Sequence, residues 1–113
     1  MEDCLFCKII KGEIPSTKAY EDDEILIFND ISPICTNHYI MILKEHFANI
    51  KEMDERRAEM LGKALLKLNK LEKELHLENG YRLIINQGED AGQTVQHLHV
   101  HILSGKKMNW EKV

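Results

Sequence analysis

In the stretch Gln96-His97-Leu98-His99-Val100-His101-Ile102-Leu103, histidine and aliphatic residues alternate as far as Ile102. A half-buried strand has this period of two, so Leu98, Val100 and Ile102 face a core while His97, His99 and His101 point the other way. Three of the six histidines of the chain are thereby placed on one face of one strand. At roughly 3.3 Å rise per residue the outer two stand about 13 Å apart, too far to close on one metal ion through ~2 Å bonds. The row reads as several chemical roles in sequence, not as one metal cage.

The loop that feeds this strand, Gln87-Gly88-Glu89-Asp90-Ala91-Gly92-Gln93-Thr94, is polar and carries two glycines. Its N–H groups can approach an anion closely, because glycine adds no Cβ and accepts the backbone angles an anion nest requires. No Gly-Lys-Ser/Thr follows, which excludes a Walker-type phosphate loop. Beside three histidines, which serve as nucleophile or general acid near neutral pH, the loop points to a small anionic substrate.

Further outward, Tyr81-Arg82-Leu83-Ile84-Ile85-Asn86 reads as a strand, and Ile40-Met41-Ile42-Leu43, flanked by His38 and His46, as a central one. Ala19-Tyr20-Glu21 and Ile25-Leu26-Ile27-Phe28 bracket a polar run and suggest a hairpin. From Asp54, a plausible N-cap, to about His76 the leucines recur at spacings of three and four, the stripe of a core-facing helix of about 22 residues that Asn79-Gly80 ends. Lys8-Ile9-Ile10-Lys11-Gly12 is a short helical turn. Five strands with one long helix between the third and fourth predict an α+β fold with an antiparallel sheet and a short N-terminal helix, residues 1–113 forming one domain.

A chain of 113 residues with net charge −4 and pI near 5.8 has no electrostatic footprint for nucleic acid. Its N-terminus lacks the basic and apolar segments of a signal peptide, and no apolar run approaches the ~20 residues of a membrane span, so the expected compartment is the cytoplasm, with no membrane partner. Cys4 and Cys7 have the spacing of half a zinc site, with His46 and His97 as candidates for the other half if the strands that carry them run antiparallel. A pair of reduced thiols is the competing reading; a redox pair fits less well, because no βαβ pattern surrounds it. Cys35, alone in a turn, reads as structural or incidental, His76 as a surface residue near the helix end.

The motif His97-x-His99-x-His101-x-x with aliphatic x resembles the signature of the histidine triad family of nucleotide-binding hydrolases and transferases. The likeness runs along nearly the whole chain: Phe6-x-Lys8-Ile9-Ile10, Glu13-Ile14-Pro15, Asp30-Ile31-Ser32-Pro33, His38, Asn86-x-Gly88, Gly92-Gln93-Thr94 and Met108-Asn109-Trp110. It is closest to the small histidine triad nucleotide-binding branch, the purine nucleoside phosphoramidases. The resemblance implies a homodimer with a joined ten-stranded sheet, each protomer binding a purine nucleoside monophosphate or its conjugate. It implies that His99 is the nucleophile on the α-phosphorus, that His101 binds phosphate, that His38 and the His97 backbone orient the pair, and that Thr94 approaches the leaving group. Gly92, Gln93 and Asn86 would contact phosphate, Asp30 the ribose hydroxyls, and Leu5, Phe6, Ile9, Ile31 and Ile40 the base.

Two departures refine the expectation. Members of the phosphoramidase type from eukaryotes lack the Cys-x-x-Cys pair, whereas some bacterial relatives have it, and there Cys4, Cys7, His46 and His97 resemble a structural zinc site. The uridylyltransferase branch has glutamine in place of the third histidine, so His101 favours hydrolysis over transfer. The expected function is hydrolysis of nucleoside 5′-phosphoramidates or related conjugates through a nucleotidyl-histidine, releasing AMP or GMP. A nucleotide-binding sensor with little turnover is the alternative.

Overall fold

In the computed structural model, which describes residues 3–108, the histidine row does enter a strand, β5 (His99–Ser104). It pairs antiparallel with β3 (Asn37–Leu43) on one side and with β4 (Arg82–Ile84) on the other. The hairpin β1 (Lys18–Glu21) and β2 (Ile25–Asn29) completes a five-stranded sheet in the order β1-β2-β3-β5-β4, every pairing antiparallel. Besides the sheet there are a short α1 (Leu5–Ile10), a 3-10 turn over Ile50–Glu52 and the longer α2 (Glu55–Leu71). The Asn109-Trp110 part of the sequence match lies outside the described residues.

The two faces of the sheet follow from the period of two. Ile25 and Ile27, Tyr39, Met41 and Leu43, and Leu98, Val100 and Ile102 meet Ala64, Leu68 and Leu71 of α2 and Leu75 beyond it in the larger core. Each such aliphatic side chain, fully buried, contributes about 1.5–3 kcal/mol. On the other face Leu26, Phe28, Ile40 and Ile42 receive Phe6 and Ile9 of the six-residue α1, with Cys4, Ile10, Ile14 and Val95 packed around them. That short helix cannot cover the sheet, and the uncovered part of this face is where His99 and His101 stand.

α2 starts as the sequence predicts, with the Asp54 carboxylate accepting from the Arg57 N–H at 2.8 Å, but its regular hydrogen bonding ends at Leu71 after 17 residues instead of running to His76. One looser turn follows. The Leu77 N–H donates to the Glu72 carbonyl at 2.7 Å and the His76 N–H to the Lys73 carbonyl at 3.3 Å, a Schellman pattern that places His76 at φ +59°. His76, not Asn79-Gly80, therefore turns the chain. β4 is also shorter than its apolar sequence suggests, since Tyr81, Ile85 and Asn86 lie outside the ladder.

Candidate functional site

On the α1 face a cavity of about 440 Å³ opens between α1, the sheet and the loop before β5. Leu5, Phe6, Ile9, Asp30, Ile31, Ile40, Asn86, Gly92, Thr94, His99 and His101, all singled out from the sequence, line it together. Ile31 stands at the rim and is 98% exposed. Ile14, Pro15, Ser16, Phe28, Asn29 and Val95 also line it, and sequence reasoning missed them. The available signal for Phe28 was its β2 spacing from Leu26 on the same face. The cavity has apolar walls and a polar end, and among the described residues no lysine or arginine lines it.

At the polar end the histidine tautomers follow from their partners. The His97 carbonyl can only accept, so the contact of 2.8 Å to His99 Nδ1 requires Nδ1–H and leaves Nε2 with its lone pair. The edge of His99 packs against the Phe6 ring, 5.0 Å between centroids at 88°. His38 Nδ1 accepts from the Ile34 N–H at 3.2 Å, so its Nε2 carries the proton, 2.9 Å from His101 Nδ1 and 3.2 Å from an Asp30 carboxylate oxygen. With Nδ1 accepting, neutral His101 holds its own proton on Nε2. The polar end thus pairs one imidazole lone pair with one imidazole N–H, their rings 5.2 Å apart.

Burial lowers the pKa of His38 and of His101, the latter further through its neighbours His99 and His38, and the Asp30 carboxylate pulls both partly back. Each Asp30 oxygen already has one partner and keeps a lone pair for another donor: one accepts from the Ser32 N–H at 2.7 Å, the other faces His38.

The glycine loop turns through Gly88 and Gly92, both at positive φ (+82° and +81°). Gln93, read from the sequence as a phosphate contact, is the residue the structure does not bring to the cavity. Its amide Nε2–H donates to the carbonyls of Ala48 (2.8 Å) and Val95 (3.2 Å), its Oε1 accepts from the Gly88 N–H (3.0 Å), and its own N–H bonds the Gly88 carbonyl. A buried primary amide needs partners on both ends, and the loop supplies them. Gln93 shapes the loop; exposed Thr94 lines the cavity.

Beside the cavity lies a second cluster. His97 precedes β5 instead of belonging to it, because its segment leaves the ladder to bond the chain after β3: the Leu98 N–H donates to the Phe47 carbonyl at 2.8 Å. That contact brings His46 next to His97, Nδ1 to Nδ1 at 3.2 Å. Cys4 Sγ lies 3.5 Å and Cys7 Sγ 3.7 Å from His97 Nδ1, and Cys7 Sγ lies 3.3 Å from His46 Nδ1. All four donor atoms fall within 4.8 Å of one another. With Zn–S bonds of ~2.3 Å and Zn–N bonds of ~2.05 Å, tetrahedral geometry requires ligand edges of about 3.4–3.8 Å, close to these. The His97 Nε2–H donates to the Leu43 carbonyl at 2.8 Å, leaving Nδ1 as the metal-facing lone pair. Two sulfurs and two imidazoles so arranged suit zinc, with no position left for a substrate.

Among the described residues, no helix is long and apolar enough to cross a membrane. Compared with known proteins, residues 3–113 match the family model described as scavenger mRNA decapping enzyme C-term binding. The chain is 44% identical over 108 residues to a 14 kDa zinc-binding protein of Zea mays, an alignment covering 94% of this chain and 84% of that one. It is 46% identical to the solved HIT family hydrolase of Clostridium thermocellum, covering 100% of this chain and 99% of that one with a TM-score of 0.92. It is 28% identical to a zinc-bound histidine triad family protein of Mycobacterium smegmatis, over 96% and 78% of the two chains, with a TM-score of 0.80.

Proposed function

Because the chain belongs to the histidine triad family, we infer that it is a purine nucleotide hydrolase that cleaves nucleoside 5′-phosphoramidates or related nucleotidyl conjugates. The observation that carries this reading is the fixed tautomer of His99, whose Nδ1–H is held by the His97 carbonyl while the cavity behind it offers a flat apolar slot.

In this reading the base lies among Phe6, Ile9, Phe28 and Ile40, and Asp30, Asn86 and the Gly92 loop meet the ribose and phosphate. His99 Nε2 attacks the α-phosphorus, a P–N bond to His99 forms, and the P–N bond to the leaving amine breaks. The amine departs with a proton taken from solvent at the open end of the cavity, and Thr94 and the His101 Nε2–H face the developing charge. Splitting one displacement into two lowers each barrier. Water then attacks the phosphorus of the nucleotidyl-histidine and gives its proton back to solvent, the P–N bond to His99 breaks, and the lone pair returns to His99 Nε2 as the monophosphate leaves. When bound, zinc at Cys4, Cys7, His46 and His97 supplies a structural cross-link between α1, the segment after β3 and the start of the histidine row.

Turnover of adenosine 5′-phosphoramidate, measured beside equilibrium binding of AMP, tests the reading. Wild type is expected to release AMP, and His99→Gly to bind AMP but lose turnover. Full activity in His99→Gly overturns the nucleophile; AMP binding with no turnover in wild type would establish the sensor reading instead. The reading includes a homodimer, for which the support is the exposed β4 edge of the sheet.

A further inference from the structure

We propose that the Cys4, Cys7, His46, His97 centre is a positioning element of the nucleotide site, so that metal binding sets both the nucleophile and the base wall. This rests on the hydrolase reading above and assigns the centre a role within it beyond holding the fold.

His97 touches both sites with different atoms. Its ring nitrogen Nδ1 belongs to the donor cluster, while its backbone carbonyl accepts the His99 Nδ1–H at 2.8 Å. A metal on Nδ1, opposed by the Leu43 carbonyl on Nε2, leaves the His97 ring no rotation, and the carbonyl that selects the His99 tautomer is held with it. The second link runs through α1. Cys4 is the N-cap of that helix, its Sγ accepting from the Cys7 N–H at 3.4 Å, and Cys7 lies one turn further on. Between them stand Leu5 and Phe6, cavity walls, and Phe6 packs edge-on against both His97 (5.9 Å) and His99 (5.0 Å).

A six-residue helix is too short to persist on its own propensity, so α1 needs tertiary ties. The two thiols supply ties at its first turn, beside the apolar contacts of Phe6, Ile9 and Ile10. An open groove lined by Asp3, Cys4, His46 and Gln96 reaches the cluster and shares Leu5, Thr94 and Val95 with the nucleotide cavity. The centre is thus accessible to a chelator and contiguous with the site. The larger core, formed by the other face of the sheet and α2, contains none of the four donors.

The test compares zinc-loaded protein, protein stripped by chelation and protein reloaded with zinc. Three readouts are taken: the ¹⁵N shifts of the His99 ring, amide exchange across Leu5–Ile10 and β5, and AMP affinity. The loaded form is expected to show a single Nδ1-protonated His99. On stripping, β5 amides stay protected while the His99 signals move to the mixed tautomers of a free imidazole, α1 loses protection and AMP binding weakens several-fold, with kcat lower by roughly 10–100-fold. Reloading restores all of these. His46→Ala, which removes a donor lying on neither α1 nor the His97-to-His99 segment, should reproduce the tautomer change.

An unchanged His99 tautomer and unchanged AMP affinity in the stripped protein overturn the proposal, as does global unfolding on stripping, which would make the metal a fold-holder only. If AMP binds neither form, the nucleotide reading fails, and the His99 spectrum still decides this one.

Discussion

His38 Nε2 lies 2.9 Å from His101 Nδ1, across the β3–β5 pair, while the Ile34 N–H occupies the other His38 nitrogen. The chain of hydrogen bonds therefore has one direction, and it exists only while both rings are neutral. Burial lowers both pKa values and Asp30 alone raises them. Both rings are then neutral above the ordinary histidine pKa of about 6.5, and protonation breaks the chain only below it. The ring ¹⁵N shifts of His38 and His101 are expected to titrate below pH ~6.5. Asp30→Asn, which removes the upward pull, should move both titrations lower still. Titration of either ring at or above pH ~6.5 in wild type contradicts this assignment.

The turn after α2 yields a stability prediction. His76 adopts φ +59° with its side chain exposed, and its carbonyl accepts from the Ser104 hydroxyl at 2.9 Å. A left-handed backbone strains any residue with a Cβ, whereas glycine accepts it freely. His76→Gly should stabilise the protein by up to about 1 kcal/mol, offset in part by the extra freedom of the unfolded glycine chain. Denaturant midpoints of the two proteins check it, and a lower midpoint for His76→Gly would show that the ring makes contacts that matter.

That turn also shows where the sequence stops being legible. The 3.6 periodicity of α2 continues through Leu75 because the core it covers continues, and Leu75 and Leu77 are indeed buried. Periodicity reports burial, and burial persists past the point where the hydrogen bonds change. The alternation at the histidine row likewise gave the correct faces for Leu98, Val100, Ile102, His99 and His101, because the period of two needs only the sheet. His97 left the strand for a tertiary reason, the bond from Leu98 to Phe47, which no local pattern encodes. The inward turn of the Gln93 amide was not legible, because a buried loop amide and a ligand-binding amide look the same in sequence. The fourfold donor set was legible in full: Cys4-x-x-Cys7 has a spacing, and His46 and His97 were named on the condition that their strands run antiparallel, as β3 and β5 do.

The edge of the sheet yields a prediction on assembly. Among the described residues β4 pairs with β5 on one side only, and Leu83 and Ile85 at this edge are 39% and 37% exposed. An unpaired ladder with apolar side chains invites a second strand. If two copies join there, sedimentation should report a dimer, and Leu83→Asp should shift it toward monomer by placing a charge in the seam. A wild-type chain that sediments as a monomer at micromolar concentration would remove the ten-stranded arrangement.

Asp22 ties the β1–β2 turn to α2. Its carboxylate accepts from the Glu24 N–H (2.7 Å), the Ile25 N–H (2.9 Å), the Tyr20 hydroxyl (2.8 Å) and Lys67 Nζ (2.7 Å). Burial pushes its pKa up, but the Lys67 ammonium, the two amides and the hydroxyl outweigh burial and hold the carboxyl well below the usual carboxylate range. A pKa depressed in the folded state contributes stability that is fully present above the unfolded value of about 3.9 and is lost as pH falls through the folded value. Wild-type stability should therefore decline below about pH 4–5 with a contribution from this group. Asp22→Asn keeps one acceptor oxygen but loses the charge opposite Lys67, and should cost about 1–2 kcal/mol at pH 7. The difference between the two proteins should shrink toward zero as pH drops below the folded pKa, because the wild-type carboxyl is then neutral as well. Urea unfolding at a series of pH values measures this; a difference that stays constant from pH 7 to pH 2 would assign the loss to packing instead of charge.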